Sequence, residues 1–167
     1  TFTNKAAGEM RERVQSMLQT PVGGMWIGTF HGIAHRLLRM HAQELGLPDG
    51  FQVMDSDDQF RMIKRLLKSM NVDDSRWPPR QVQWFINGQK DEGRRAAHIA
   101  PSGDHFEQKM LEIYAEYERG CQRSGLVDFA ELLLRAHELL RDNDEVRRHY
   151  QQRFKYVLVD EFQDTNT

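Results

Sequence analysis

The chain has 167 residues, 39% of them hydrophobic and 29% charged, a composition typical of a globular domain and not of a disordered chain. The net charge of −2 argues against a histone-like coat of positive charge, although a local basic strip could still bind nucleic acid. The single cysteine, Cys121, excludes an internal disulfide and a cysteine zinc finger and favours a cytoplasmic setting. No apolar run approaches the ~20 residues of a membrane span, so no membrane partner is expected. The chain begins without an initiator methionine, and we expect an internal piece of a longer protein.

Helices dominate the predicted elements of the first half of the chain. Apolar residues recur at helical spacing over residues 5–19 and again over residues 31–45. The apolar run at residues 25–27, which lies between these helices, reads as a short buried strand. Ser56 and Gln59 form a capping box, which predicts the start of a third helix.

The next predicted helix starts at the sequence Trp77-Pro78-Pro79. Proline is tolerated in the first turn of a helix. Trp77 and Trp84 are predicted to lie in the core. Residues 87–104 are polar and contain glycine, which predicts a loop with one short helix.

Three further helices and a strand complete the prediction. The first helix runs from Phe106 to about Gly125, and the second opens with a capping box at Asp128. The third is capped by Asp144. The continuous apolar run at residues 156–159 then fits a strand covered on both faces. Helices bracketed by short strands of parallel type predict a helical insertion into an α/β domain.

Residues 156–166 read Y-V-L-V-D-E-F-Q-D-T-N and place two acids at the carboxyl end of the predicted strand. Open α/β sheets bind ligands at that edge. Nucleotide hydrolysis needs one carboxylate for Mg²⁺, usually through water, and a second group that activates the attacking water. Asp160 and Glu161 could divide these roles, because successive side chains of a strand point to opposite faces. An apolar run followed by two acids is equally compatible with a polar strand exit.

The complete string D-E-F-Q-D-T-N resembles motif II of the UvrD/Rep/PcrA-type helicases of superfamily 1. The resemblance implies that Asp160 holds Mg²⁺ through water and that Glu161 is the catalytic base. It also implies that Gln163 and Asp164 couple the nucleotide site to the DNA-binding surface. ATP and Mg²⁺ are the cofactors implied for the parent protein, and none is expected to bind this piece alone.

Two other strings resemble DNA-contacting motifs of the same family: T-F-T-N-K-A-A-G-E-M-R-E-R at 1–13 and G-T-F-H-G-I-A-H-R-L-L-R at 28–39. An aromatic ring can stack on any base, and hydroxyl, amide and imidazole groups can bind phosphates without reading sequence. Propensity alone would favour core aromatics and ordinary helix caps. The resemblance implies that the DNA-binding residues are Phe2, Thr3, Asn4, Thr29, Phe30 and His31.

The resemblance covers essentially the whole chain and implies its domain organisation. Residues 1–29 and 154–167 would be pieces of the first RecA-like α/β domain, of the P-loop NTPase class. Residues 30–153 would be the helical subdomain inserted into it (1B-like), so the predicted fold is mostly α. The sequence contains no phosphate-binding G-x-x-x-x-G-K-[ST] loop, and we therefore expect this chain alone to be inactive as an ATP hydrolase.

The function implied by the resemblance is that of an ATP-dependent DNA helicase in DNA repair. Such an enzyme moves 3′ to 5′ along single-stranded DNA and opens the duplex at a single-strand/double-strand junction, with repair proteins as candidate partners. Two alternatives remain open. The helical subdomain could act alone as a module that binds DNA or a repair partner, or the chain could belong to a helicase–nuclease subunit.

Basic residues outside these strings have two interpretations. The basic residues at positions 61–68 follow one predicted helix and fit a solvated face better than a contact with duplex DNA. Lys90, Arg94 and Arg95 lie in the predicted loop at residues 87–104 and are the better candidates for a duplex contact.

Overall fold

The structure is a computed structural model that describes residues 1–101 and 103–165, without the side chain of Asp164. The described residues are mostly helical and contain one small parallel sheet, formed by β1 (Gln52–Val53) and β2 (Leu126–Val127). None of the described helices is both long and apolar enough to cross a membrane. The helices are α1 (Asn4–Leu18), α2 (Phe30–Met40), α3 (Ser56–Ser69), α4 (Pro79–Asp91), α5 (His105–Ser124), α6 (Phe129–Asp142) and α7 (Asp144–Arg153), with short 3-10 helices at Ala96–His98 and Phe162–Asp164.

The chain divides into two compact units. The central unit is Gly46–Leu134, and the terminal unit consists of Thr1–Leu45 together with Arg135–Thr167. The predicted division into residues 1–29, 30–153 and 154–167 concerns domains of a longer protein, and it stays a prediction.

The core of the central unit lies between α3, α4 and α5. Ile63, Val82, Ile86 and Tyr117 are fully buried there, because the apolar residues of each helix recur on one face. The sheet pairs Gln52 with Leu126 and Val53 with Val127 in parallel.

Gly125 ends α5 in the left-handed conformation, with φ of 62°. A Cβ at this position would lie 2.7 Å from the Cγ of Pro48. Both the backbone conformation and the close approach of the proline therefore require glycine at the turn that leads into β2.

The core of the terminal unit forms around aromatic rings. Tyr150 of α7 packs with Leu37 and Leu139, and its hydroxyl lies 2.8 Å from the Nε2 of His41. The ring of Trp26 lies 5.5 Å from that of Tyr150, measured between centroids. This cluster fixes the loop between α1 and α2 against α7.

The helix caps differ from the prediction at α3. Asp55, not Ser56, is the N-cap, and its carboxylate accepts a hydrogen bond from the Asp58 amide at 2.8 Å. The Gln59 side chain does not return to the backbone as in a capping box. It is buried and donates to the Asn87 side chain at 2.8 Å instead.

The prediction of the N-cap is confirmed for α6 and wrong for α7. Asp128 caps α6 as expected, because it accepts from the Glu131 amide at 2.7 Å. At α7 the N-cap is Asn143, which accepts from the Val146 amide at 3.0 Å, and not Asp144. Asparagine and aspartate serve equally well as caps, so adjacent candidates cannot be separated by residue type.

Both predicted strands are wrong for the described residues, because residues 25–27 and 156–159 are irregular. Leu158 is 94% exposed and Met25 is 49% exposed, whereas Trp26 and Ile27 are half-buried. The run at residues 156–159 is therefore uncovered, and the run at residues 25–27 is covered only in part. A strand needs a neighbour that pairs with its backbone groups, and no described strand lies beside either run.

Two helix ends and one tryptophan also differ from the prediction. α2 ends at Met40 and is followed by turns up to Gly46, although a helix was predicted over residues 31–45. α4 continues to Asp91, into the predicted loop. Trp84 on α4 is 69% exposed and is not a core residue.

Candidate functional site

The backbone of Thr1 joins two of the strings singled out in the sequence. The Thr1 nitrogen donates to the carbonyl oxygen of Gly28 at 3.3 Å, and the Thr1 carbonyl oxygen accepts from the Phe30 amide at 3.0 Å. Thr1 thus faces Thr29 and is bonded to the residues on both sides of it, which is the hydrogen-bond pattern of a parallel bridge. The bridge brings the starts of α1 and α2 together.

A threonine hydroxyl caps each of these two helices. The Oγ1 of Thr3 accepts from the Ala6 amide at 3.2 Å, and the Oγ1 of Thr29 accepts from the Gly32 amide at 3.0 Å. A hydroxyl that accepts a capping bond can still donate its own proton. Both threonines therefore serve as caps, as propensity predicts, and can in addition donate to an anion at the helix starts.

Two phenylalanine rings lie between the helix starts. The Phe2 and Phe30 centroids are 5.1 Å apart at an interplanar angle of 54°. Phe2 is 41% exposed, whereas Phe30 is half-buried. Phe30 can therefore support Phe2 from behind while Phe2 offers a face to a ligand. Asn4 is exposed beside them, and His31 is half-buried in the first turn of α2.

Asp160 lies near the same bridge. Its Oδ1 atom forms an ion pair at 3.4 Å with the terminal ammonium group of Thr1, a contact without hydrogen-bond geometry. The atom is buried and accepts no hydrogen bond within the described residues. A buried carboxylate oxygen that accepts no hydrogen bond favours a cation as its partner, and Mg²⁺ is a hard cation that prefers oxygen ligands. Asp160 therefore fits the predicted role of a Mg²⁺ ligand.

The ligands other than Asp160 would have to come largely from water or a bound phosphate. The described residues contain no group of three or more histidine, cysteine, aspartate or glutamate side chains arranged to hold a metal. Mg²⁺ usually keeps several waters and binds through one or two carboxylates, so a single well-placed aspartate is compatible with it.

Glu161 follows in the left-handed conformation, with φ of 51° and ψ of 38°. This conformation is uncommon for residues other than glycine, and such residues cluster at functional sites. The Glu161 carboxylate is exposed and makes no hydrogen bond or ion pair within the described residues. Gln163 is exposed in the following 3-10 helix, while the side chain of Asp164 lies outside the part that the structure describes.

A buried ionic cluster in the central unit was not predicted. The Nζ of Lys90 lies 2.7 Å from the Oδ2 of Asp128 and 2.7 Å from the Oε2 of Glu131. Lys90 was predicted to lie in a loop and to contact duplex DNA. It lies in α4 and is buried, so both predictions are wrong. The overlooked signal was its helical spacing of four residues from Ile86 and eight from Val82.

The carboxylates around Lys90 change its acidity. Burial alone would lower the pKa of the ammonium, but the charges of Glu131 and Asp128 outweigh burial, and the pKa lies above its ordinary value. Burial also raises the pKa of the nearby Cys121 thiol to about 12. The carboxylates thus keep Lys90 charged, and burial keeps the Cys121 thiol protonated.

The other basic residues considered for a contact with duplex DNA differ in exposure and in pairing with carboxylates. Arg95 pairs with Glu118 at 3.2 Å and with Glu131 at 2.8 Å, so its charge is already neutralised. Arg94 is partly exposed and pairs with Glu92, and its role stays a prediction. The basic residues at positions 61–68 are exposed on α3, as expected of a solvated face.

Comparison with known proteins gives consistent matches over the full length. The profile of the family described as "UvrD/REP helicase N-terminal domain" matches residues 1–167. DNA helicase II of Escherichia coli (strain K12) is 57% identical over 166 residues, which cover 99% of this chain and 23% of that protein. The ATP-dependent DNA helicase PcrA of Bacillus subtilis (strain 168) is 36% identical over 167 residues, with the same two shares. A probable DNA helicase II homolog of Rickettsia felis is 37% identical over 170 residues, 99% of this chain and 26% of that protein. The chain thus spans 23% to 26% of the length of these relatives.

Proposed function

Because the chain belongs to the UvrD/REP helicase N-terminal domain family, we propose that the protein carrying it is an ATP-dependent DNA helicase. It moves 3′ to 5′ along one strand and opens the duplex at a single-strand/double-strand junction during DNA repair. The names of the relatives, DNA helicase II and PcrA, support the activity. Repair proteins are its proposed partners.

One observation carries the proposal: Thr1 contacts both the candidate DNA-binding segment and the candidate Mg²⁺ ligand. Its backbone is bonded to Gly28 and Phe30 at the start of the second string, and its nitrogen lies 3.4 Å from Asp160. The candidate DNA-binding residues and the candidate Mg²⁺ ligand are therefore joined through a single residue. Such proximity is what coupling between ATP hydrolysis and DNA movement requires.

Asp160 and Glu161 have different proposed roles at the nucleotide. Asp160 holds Mg²⁺ through water, and the bound ion neutralises charge on the ATP phosphates. Glu161 orients the attacking water and accepts its proton. Its carboxylate is exposed and unpaired within the described residues, so it is free to do so. Gln163 and Asp164 link this site to the strand-binding surface.

The proposed DNA-binding residues lie at the starts of α1 and α2. Phe2 stacks on a base, supported by Phe30 behind it. Thr3, Asn4, Thr29 and His31 donate to phosphate oxygens, which positions the strand without reading its sequence. Free amides at the starts of α1 and α2 add to the same preference for anions.

The exposed apolar run at residues 156–159 supports a larger RecA-like domain. Tyr156 is 88% exposed and Leu158 is 94% exposed, and contiguous exposed apolar residues favour coverage by other structure. We assign residues 1–29 and 154–167 to that domain and residues 30–153 to its helical insertion. In the complete protein, residues 156–159 would pair as a strand within its sheet.

The proposal is tested with the complete protein in two assays. ATP hydrolysis is measured with and without single-stranded DNA, and strand separation is measured on duplexes with a 3′ or a 5′ single-stranded tail. We expect hydrolysis to rise with DNA and only the 3′-tailed duplex to open. Hydrolysis that does not respond to DNA would contradict the proposed function, and preference for the 5′ tail would contradict the direction alone.

A further inference from the structure

Three arginines converge on one short segment of the terminal unit. The guanidinium carbon of Arg36 lies 4.5 Å from the centre of the Trp26 ring, and that of Arg153 lies 5.9 Å from the same ring. Arg11 donates from Nη2 to the carbonyl oxygen of Ile27 at 2.8 Å. Helices α1, α2 and α7 each contribute one of these cations.

The three arginines have no carboxylate partner among the described residues. Arg11, Arg36 and Arg153 form no ion pair with a carboxylate within residues 1–101 and 103–165. Arg95 and Arg141, in contrast, pair with acidic side chains. Cations that share one ring and one short segment without a carboxylate partner favour the binding of an anion there.

The aromatic residues hold the cations in place. Trp26 is half-buried and packs against Tyr150 and Phe154, with centroid separations of 5.5 and 5.1 Å. Its ring thus forms a fixed platform over which Arg36 stacks. An arginine that is oriented before binding loses less conformational freedom when a ligand arrives.

A groove connects Arg11 and Arg36 of the cluster with the helix starts. It has a volume of about 410 Å³ and runs between α1 and α2 from Asn4 and Thr29 to Arg11 and Arg36. These ends are two helical turns apart, about 10 Å, which exceeds one nucleotide step of about 3.4 Å along a duplex strand. Gly8, Gly28 and Gly32 line the groove and leave room for a backbone to approach.

We propose that Arg11, Arg36 and Arg153 form a phosphate-binding cluster for the backbone of the DNA strand. A strand whose base meets Phe2 at the helix starts continues along the groove, so that a phosphate further along the strand reaches the arginines. Guanidinium groups match phosphate oxygens in charge and in bidentate geometry. The inference rests on the proposed function and extends its DNA site beyond the residues assigned above.

The test measures how salt affects the binding of a single-stranded oligothymidine to the complete protein. Each neutralised phosphate on a single strand contributes about 0.7 to the slope of log affinity against log salt concentration. The variants are Arg36→Gln and the double variant Arg36→Gln/Arg153→Gln. Arg13→Gln is the matched control, because Arg13 is exposed on α1 and lies outside the groove. Arg36→Lys keeps the charge, and thermal unfolding of every variant reports on the fold.

We expect the slope to fall by about 0.7 in the single variant and by about 1.4 in the double variant. Arg13→Gln and Arg36→Lys should keep a slope near that of the wild type. A wild-type slope in a folded double variant would overturn the cluster while the proposed DNA-binding function stands. Absence of DNA binding by the wild-type protein would overturn the proposed function and the cluster with it.

Discussion

The Nζ of Lys90 lies 2.7 Å from the Oδ2 of Asp128, and the two side chains each keep only 2% of their exposure. The Tyr117 hydroxyl donates to the same carboxylate oxygen at 2.6 Å, and Glu131 is the second carboxylate on Lys90. The cluster joins α4, α5 and α6. Because an unpaired buried charge is far less favourable than a paired one, its members depend on one another.

Removing Lys90 should therefore destabilise the chain strongly. Lys90→Met keeps the length of the side chain but leaves two buried carboxylates without their cation, and we expect a loss of about 3–5 kcal/mol in the free energy of unfolding. Lys68→Met, at an exposed position of α3, should change it by no more than about 0.5 kcal/mol. Urea unfolding of the chain measures both. Equal stabilities for the two variants would show that the cluster contributes nothing.

The same region should make the chain sensitive to alkali. Burial raises the pKa of Cys121 to about 12 and also raises the pKa of the Tyr114 and Tyr117 phenols. For Lys90 the adjacent carboxylates outweigh burial, and the pKa is again raised. Groups with a raised pKa in the fold bind more protons when folded than when unfolded at high pH. Stability is then complete below the unfolded pKa values and falls as pH rises.

For Cys121 the fall begins near its ordinary pKa of 9.0 and continues to about 12. We expect the urea midpoint to drop between about pH 9 and about pH 10.5. Cys121→Ala should show a smaller drop over the same interval, because one of the contributing groups is gone. A midpoint that stays constant or rises with pH would contradict the assigned direction.

The sequence predicts the parts of the molecule that depend on local pattern. Helices α1, α4 and α5 follow from apolar spacing, and the cap of α6 follows from Asp128. The runs at 25–27 and 156–159 have the composition of strands, but a strand forms only beside a partner. Lys90 and Asp128 are far apart in sequence, and so are Arg36 and Arg153. Contacts between such distant residues depend on the tertiary fold, and no local sequence pattern predicts them.

The candidate DNA-binding residues predict a specific loss in the complete protein. Phe2→Ala removes the exposed ring, and base stacking contributes about 1–3 kcal/mol per base, so single-strand affinity should fall and more DNA should be needed to stimulate ATP hydrolysis. His31→Ala should act in the same direction. Met17→Ala is the control, because Met17 is 77% exposed on the same helix as Asn4. DNA-stimulated hydrolysis equal to wild type in both Phe2→Ala and His31→Ala would remove these assignments.

The chain of 167 residues should hydrolyse no ATP by itself. It keeps Asp160 and Glu161, but its sequence has no loop that grips the β- and γ-phosphates, and phosphoryl transfer depends on that positioning. Phosphate release is measured with single-stranded DNA, beside the same chain carrying Glu161→Gln. Release by the unmodified chain above that control would show that the prediction is wrong.

The most direct test of the proposed ATPase site separates its two carboxylates in the complete protein. Glu161→Gln keeps the size of the side chain and removes its basicity, whereas Asp160→Asn weakens the Mg²⁺ site. Nucleotide affinity and single-turnover hydrolysis are measured for both variants across a Mg²⁺ titration. We predict that Glu161→Gln binds ATP normally and hydrolyses it about 10²–10⁴-fold more slowly at every Mg²⁺ concentration, while added Mg²⁺ partly restores Asp160→Asn. Near wild-type hydrolysis by Glu161→Gln would contradict the catalytic-base role, and a Glu161→Gln defect that disappears at high Mg²⁺ would show that the two roles are reversed.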